Sequence, residues 1–334
     1  IPFTPTEDAE AAFATLDDLL TRSAEANGRK RSGDILSLLL KKRFLSSPWA
    51  FASTLELYDQ SATTSAQIPF DDYYTEVLDL PQKSPGVEKY GHMAVTADPH
   101  HHGGFGDYCY VLPQSWILKL PPELTDEEAT PINCGVATMM CVTERAGIGM
   151  GDAVVVQGLG LLGLYGAAIA KARGARLVIG LDTVAARREL GAKFGVDHAL
   201  DPASMDEAGL VATVRALCQP EGADVVLEVC GSPEVVASGI RFLRNGGRYV
   251  LGGVVNPDAF VSIDVNQILR KLITLRGVHN YHPRNLIEAL DFVQANRKRF
   301  PFHDLVDGKY RLEEIGRAFK DAGERRVLRA AIVP

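Results

Sequence analysis

Apolar residues fall in two different patterns along the chain. From residue 153 onward, short apolar runs alternate with helical stretches. Ala153 to Val156 is a compact β-branched run of the kind that forms a buried parallel strand. Leu164 to Arg173 is rich in alanine and is stopped by Gly174, which predicts a helix. Leu177 to Leu181 is a second apolar strand, Ala185 to Phe194 a helix, and Asp197 to Leu200 a short strand. Asp206 to Leu217 is a helix, Ala223 to Val229 a strand, and Glu234 to Leu243 a helix. A turn at Asn245-Gly246-Gly247 then leads to a strand from Arg248 to Gly252. Alternation of this kind predicts an α/β fold with a doubly wound parallel sheet, its ligands at the carboxyl ends of the strands.

The first 77 residues carry a different pattern. Glu7 to Ala26 places Ala12, Phe13, Leu16, Leu19 and Leu20 on one helical face, with Gly28 as a stop. A second helix is expected from Asp34 to Leu45 and a third from Trp49 to Tyr58, followed by a polar linker from Ser61 to Gln67. From about Leu80 the chain turns to Gly, Val and Ala. Gly104 to Val111 alternates as a strand, Pro121 to Ala129 reads as a turn into a capped helix start, and Asn133 to Arg145 as a helix of small residues.

The stretch between the first two apolar strands carries chemistry. Gly158, Gly160 and Gly163 follow the first strand in Gly-x-Gly-x-x-Gly spacing. The first glycine permits a tight turn, the second lets the backbone approach a pyrophosphate, and the third lets the helix sit close on the strand. Asp182 ends the second strand about twenty residues later, where an acid accepts hydrogen bonds from a ribose 2′-hydroxyl. Strand, glycines, helix and acid together favour a dinucleotide site over a merely glycine-rich corner. The acid opposes a 2′-phosphate, which favours NAD over NADP, while Arg187 and Arg188 beside it suit a phosphate or adenine stacking.

Composition narrows the partners. The 334 residues are 46% hydrophobic and carry a formal charge of −7, which gives no reason to expect nucleic acid. The clusters Arg29-Lys30-Arg31 and Lys41-Lys42-Arg43 read as solvated helix ends. Five cysteines without Cys-x-x-Cys pairing favour a reducing, cytoplasmic compartment. The opening Ile1 to Pro5 has no charged region before an apolar core, so no signal peptide is expected there. The apolar run from Ala153 to Ala170 is broken by Gln157 and four glycines, so no membrane span is expected.

Several motifs together resemble the medium-chain dehydrogenases, the zinc-type alcohol dehydrogenase superfamily, over about residues 80 to 334. They are Gly104-Phe-Gly-Asp-Tyr-Cys109, Asn133-Cys-Gly-Val-Ala-Thr138, Gly158-Leu-Gly-Leu-Leu-Gly163, Glu228-Val-Cys-Gly231, Gly246-Gly-Arg-Tyr-Val250 and Arg329-Ala-Ala-Ile332. The resemblance implies a barrel-like catalytic domain, a Rossmann domain, a nicotinamide cofactor and hydride transfer between a small alcohol and a carbonyl. It implies cofactor contacts at Thr138, Gly158, Gly160, Leu161, Leu162, Gly163, Asp182, Arg187, Cys230, Gly253, Val278, His279, Asn280 and Arg329. Cys134 matches one catalytic-zinc ligand, but the family's upstream Cys and His-Glu pair have no counterpart. One ligand does not hold a zinc. Ser84 stands where the structural-zinc loop of the family ends in Cys.

Residues 1–77 resemble a fragment of the Swi/Snf-type helicases, through Phe3-Thr4-Pro5, Leu38 to Pro48, Ala50-Phe51 and Thr54-Leu55. There is no Gly-x-x-x-x-Gly-Lys-[Ser/Thr] for an ATPase. The expected organisation is therefore a helical segment (1–77), a remnant of the barrel-like domain (78–132), a Rossmann domain (133–280), and C-terminal helices with a returning strand (281–334). No catalytic residue is assigned. The alternative is a non-catalytic nucleotide-binding or structural protein whose helical segment docks a partner.

Among the remaining candidates, His100-His101-His102 is expected to be an exposed loop, with incidental metal binding next. His92 is expected to be a loop or buried histidine. His279 and His282 fall in the loop that closes near the nicotinamide in the resembled family. Asp224 and Glu228 share a strand and are expected at solvated strand ends with a loop contact, and Cys141 and Cys218 as packing residues. Phe260 to Ile263 and Leu272 to Leu275 fit a sheet edge of the kind that pairs across a homodimer.

Overall fold

The computed structural model describes residues 104–105, 117–255 and 259–333, of which Leu120–Val333 form one compact unit. The expected helices of the first 77 residues, most of the 104–111 strand, Ser84, His92 and the histidines at 100–102 lie outside the described residues.

The unit opens with a short helix, α1 (Asp126–Ala129). Thr125 accepts from the Glu128 N–H while the Glu128 carboxylate accepts from the Thr125 N–H, the reciprocal cap read from the sequence. The stretch expected as one helix from Asn133 to Arg145 is two elements: a π-helical turn over Ile132–Val136, then α2 (Ala137–Arg145). The wider turn includes Asn133, Cys134 and Gly135; the first two are exposed, while Gly135 is buried.

A six-stranded parallel sheet follows, built from β1 (Ala153–Gln157), β2 (Leu177–Leu181), β3 (His198–Leu200), β4 (Ala223–Glu228), β5 (Leu243–Leu251) and β6 (Thr274–Gly277). Its order is β3-β2-β1-β4-β5-β6, the doubly wound arrangement, which reverses direction beside β1. All five residues of β1 are buried, as a central strand covered on both faces requires. The crossovers are α3 (Leu161–Ala172), α4 (Ala185–Lys193), α5 (Glu207–Leu217), α6 (Val235–Phe242) and α7 (Val265–Arg270). Asp206 caps α5 by accepting from the Gly209 N–H.

One core lies between the sheet and α5 and α6, where Val155, Val226, Leu210, Val214, Ile240, Phe242 and Tyr249 meet. On the chain beyond β6, α8 (Pro283–Asn296) leads to a parallel pair, β7 (Gly308–Arg311) and β8 (Ala330–Val333), with α9 (Ile315–Gly323) between them. Phe302 stacks on Tyr165 of α3 at 5.4 Å and packs near Phe194 and Phe292, which seats this region on the α3 side of the unit.

Two boundaries differ from expectation by three residues or more, and several others by one. The helix expected from Leu164 begins at Leu161, because Gly160 is extended and serves as its N-cap. The strand expected from Arg248 begins at Leu243: the Asn245-Gly246-Gly247 turn is an irregularity inside β5, with Gly246 at φ +72° and a shift of register against β4.

Candidate functional site

The glycine corner sits at the carboxyl end of β1, where the sheet order reverses. Gly158 has φ +95°, and a Cβ there would lie 2.7 Å from the Cβ of Cys230, so the turn demands glycine twice over. Gly163 faces back on this turn; a Cβ on it would stand 1.8 Å from the Gly158 carbonyl oxygen. Gly160 is different. Its φ is −71°, and a Cβ there would meet nothing nearer than an Arg187 guanidinium nitrogen at 3.9 Å. The fold does not need glycine at this position. The open space in front of its backbone is a cradle that a side chain would fill, which fits a group that approaches from outside.

The first turn of α3 points into that space. Gly160 contributes no side-chain cap, and the first N–H groups of a helix have no intrahelical partner, so the N–H groups of Leu161 and Leu162 and the helix dipole favour an anion here. The half-buried side chains of these two leucines lean toward the π-helical turn, 3.3 and 3.8 Å from where a Cβ on Gly135 would be. Thr138, one turn on in α2, is also half-buried.

Asp182 directly follows β2 and is 8% exposed. One carboxylate oxygen accepts from the Leu159 N–H at 2.8 Å, within the glycine corner, and the other from the Val184 N–H at 2.8 Å. A carboxylate has about four acceptor positions, so roughly two remain for a ligand. Arg187 stands 3.8 Å away with its guanidinium near Gly160. Arg188 turns from the site, donating to the Asp182 carbonyl at 2.7 Å and pairing with Asp201 at 3.1 Å.

Across β1, the loops after β4 and β5 form the other side. Cys230 is exposed but its backbone and Cβ lie against Gly158, and desolvation pushes its thiol up to about 11, which keeps it neutral near pH 7. Gly253 lies against Gly231, whose own Cβ would be 3.1 Å from the Gly253 carbonyl oxygen. Glu228 was expected at a solvated strand end with a loop contact; the loop contact is present and the solvation is not. It is fully buried, because both of its oxygens are occupied by backbone N–H groups of these loops. Asp224 is likewise engaged, accepting from the Ala153 N–H at 2.7 Å and from Arg244.

Val278 continues from β6 through a hydrogen bond to the Leu251 carbonyl at 2.9 Å, and His279 and Asn280 are exposed, Asn280 at φ +61°. His282 is not a site residue of that loop. It is buried and caps α8, its Nδ1 accepting from the Arg284 N–H at 3.1 Å while Asn285 accepts from the His282 N–H. Arg329, half-buried at the start of β8, has its N–H on Asp307, and its charge acts on the buried Tyr165 hydroxyl of α3.

Metal ligation has little to build on. Cys134 is exposed on the π-helical turn, and among the described residues no three His, Cys, Asp or Glu side chains gather at metal-binding distance. The described residues do not fit a catalytic zinc, which takes three protein ligands. Among those residues, no helix is long and apolar enough to cross a membrane.

Comparison with known proteins bears on the family and the fold. Residues 162–295 match the family model described as zinc-binding dehydrogenase. The probable D-xylulose reductase A of Aspergillus niger is 30% identical over 232 residues, 69% of this chain and 63% of that protein. The chain thus spans less than two thirds of the length of the curated relatives it matches. A zinc-binding-domain alcohol dehydrogenase from Burkholderia ambifaria superposes with a TM-score of 0.60 at 28% identity, covering 65% of this chain and 58% of that one. An alcohol dehydrogenase from Thermotoga maritima superposes with a TM-score of 0.71 at 24% identity, over 78% and 72%, a likeness of fold.

Proposed function

We propose that this chain, whose residues 162–295 match the zinc-binding dehydrogenase model, is an oxidoreductase of the alcohol dehydrogenase type that binds NAD across the β1 corner. The observation that carries this reading is Gly160: a glycine the fold does not require, in front of a helix start without a side-chain cap. The pyrophosphate rests on the N–H groups of Leu161 and Leu162, and Asp182 accepts from the adenosine ribose hydroxyls with its remaining lone pairs. Arg187 lies over the same nucleoside. Thr138, Cys230, Gly253, Val278, His279 and Asn280 line the way to the other end, and Arg329 approaches the α3 side. When bound, the nicotinamide supplies a hydride acceptor or donor for a small alcohol or carbonyl.

The relatives that are alcohol and polyol dehydrogenases support this class of substrate. The single candidate ligand Cys134 favours a second reading beside it, in which this chain binds the nucleotide without zinc-dependent turnover of its own. The four described cysteines are all free thiols, which suits a reducing, cytoplasmic setting. The exposed edge strand β6, with Leu275 40% exposed and Leu272 just before the strand 78% exposed, suits pairing with a second copy.

The test is a fluorescence titration with NADH and NADPH. NADH should bind more tightly, because the Asp182 carboxylate opposes a 2′-phosphate, and Asp182→Asn should narrow the difference. Equal or reversed affinities would remove the preference, and binding of neither would remove the reading.

A further inference from the structure

Glu228 is a fully buried acid that the cofactor reading does not use. It ends β4, where the ladder to β5 runs out: the Gly252 N–H still reaches the Glu228 carbonyl at 2.9 Å and the Val229 N–H the Gln157 carbonyl at 3.0 Å, and beyond these two residues the loops leave their strand partners. The carboxylate takes their place. One oxygen accepts from the Cys230 N–H at 2.9 Å and the Gly231 N–H at 2.8 Å; the other accepts from the Gly253 N–H at 3.0 Å and the Val254 N–H at 3.1 Å. Four donors fill the four acceptor positions of the group, so nothing is left over for a ligand. The backbone closes tightly around it. A Cβ on Gly253 would lie 2.7 Å from the Val229 backbone and 2.9 Å from a Glu228 oxygen, and Gly231 needs φ +77° to turn its N–H inward.

We propose that Glu228 is a positioning residue for the cofactor: its one carboxylate ties the loops after β4 and β5 into a preformed seat for the nucleoside that lies on the side of β1 away from Asp182. The sidedness follows from the sheet order. Asp182 follows β2 on one flank of β1, and the tied loops follow β4 and β5 on the other. A dinucleotide whose pyrophosphate sits at the glycine corner therefore reaches Asp182 with its adenosine ribose and these loops with its second nucleoside. Because the ties are made within the protein, the seat exists before the ligand arrives, and less ordering entropy is lost on binding. The proposal rests on the cofactor reading above.

Two probes separate this role from general stabilisation: NADH, which spans both flanks, and ADP, which reaches only the Asp182 flank. In Glu228→Gln an amide NH2 replaces one acceptor and faces two N–H donors, so one loop is released. The Kd for NADH should rise by at least about tenfold, while that for ADP stays within about twofold because its diphosphate and adenosine use the α3 N–H groups and Asp182 rather than the four tied amides. Glu228→Asp keeps the charge but is one methylene too short to span both loops, and should show the same split. In the cofactor-free wild-type protein, the amides of Cys230, Gly231, Gly253 and Val254 should exchange slowly with deuterium, a measurement that holds even if neither variant folds. Equal weakening of NADH and ADP, unchanged NADH affinity, or fast exchange at those four amides would each overturn the assignment. Wild-type protein that binds neither probe would instead remove the cofactor reading, and the proposal with it.

Discussion

Replacing Gly160 and Gly163 in turn should separate ligand binding from folding, although the two glycines lie three residues apart in one motif. At Gly160 the backbone is already extended, a conformation open to any residue, and the built Cβ is 3.9 Å from its nearest neighbour. Gly160→Ala loses a few tenths to about 1 kcal/mol as a poorer N-cap. It gains about 0.4–1 kcal/mol through a less flexible unfolded chain. The two nearly cancel, and Gly160→Val, also at ease in extended backbone, should behave alike. At Gly163 a Cβ would overlap the Gly158 carbonyl oxygen at 1.8 Å, with the Val156 side chain behind it at 3.4 Å. The obstacle is backbone, so α3 must move off β1, at a cost of about 3 kcal/mol or more. For a unit of this size that is a fall in Tm of about 6–12 °C. Thermal unfolding and an NADH titration should be run on the same samples. Gly160→Val should melt within about 2 °C of wild type and lose NADH binding; Gly163→Ala should melt far lower. A Gly160→Val protein that binds NADH normally, or that melts as low as Gly163→Ala, would refute the division of roles.

The His282 cap should make stability depend on pH. Burial holds its pKa below the usual histidine value, and the Nδ1 that accepts from the Arg284 N–H must be unprotonated to do so. The unfolded chain therefore binds a proton first. The stabilisation is fully present above the unfolded pKa of about 6.5 and is lost as pH falls through the lower folded value. Urea unfolding between pH 5 and 8, compared with His282→Asn, should show this slope in wild type only; parallel profiles would count against it. At the sheet edge, Leu272→Asp with Leu275→Asp should convert a sedimenting dimer to a monomer at unchanged NADH affinity, and wild-type protein that sediments as a monomer would dismiss pairing through β6.

Local signals made much of the sheet readable. β2 was legible to the residue at both ends, and the start of β1 at Ala153, because buried parallel strands are continuous apolar runs bounded by turn residues. The glycine motif was legible because Gly158 needs a positive φ and Gly163 closes on the Gly158 carbonyl five residues away, while Gly160 stands in the spacing with no steric demand of its own. What was not legible depends on distant partners. The Glu228 oxygens receive N–H groups from two and three residues away and also from twenty-five and twenty-six away, and nothing in Glu228-Val-Cys-Gly231 announces the second pair. His282 resembled a ligand-loop histidine because a capping imidazole and a site imidazole read the same in one dimension. The strand at Leu243 was hidden by Gly246 and Gly247, which normally signal a turn and here mark a bulge. The π-helical turn around Cys134 has no compositional sign at all.

The two backbone hydrogen bonds accepted by Asp182 constrain how this corner can change over evolutionary time. A shift toward the phosphorylated cofactor would require losing the acid, whose charge opposes a 2′-phosphate. Here that loss also releases the amides of Leu159 and Val184, one in the glycine corner and one at the entrance to α4. A lineage moving in that direction must first acquire another acceptor for both, or pass through an intermediate that folds less well. The nucleotide preference proposed for this chain would thus be guarded by its own folding, and drift alone would be slow to erase it.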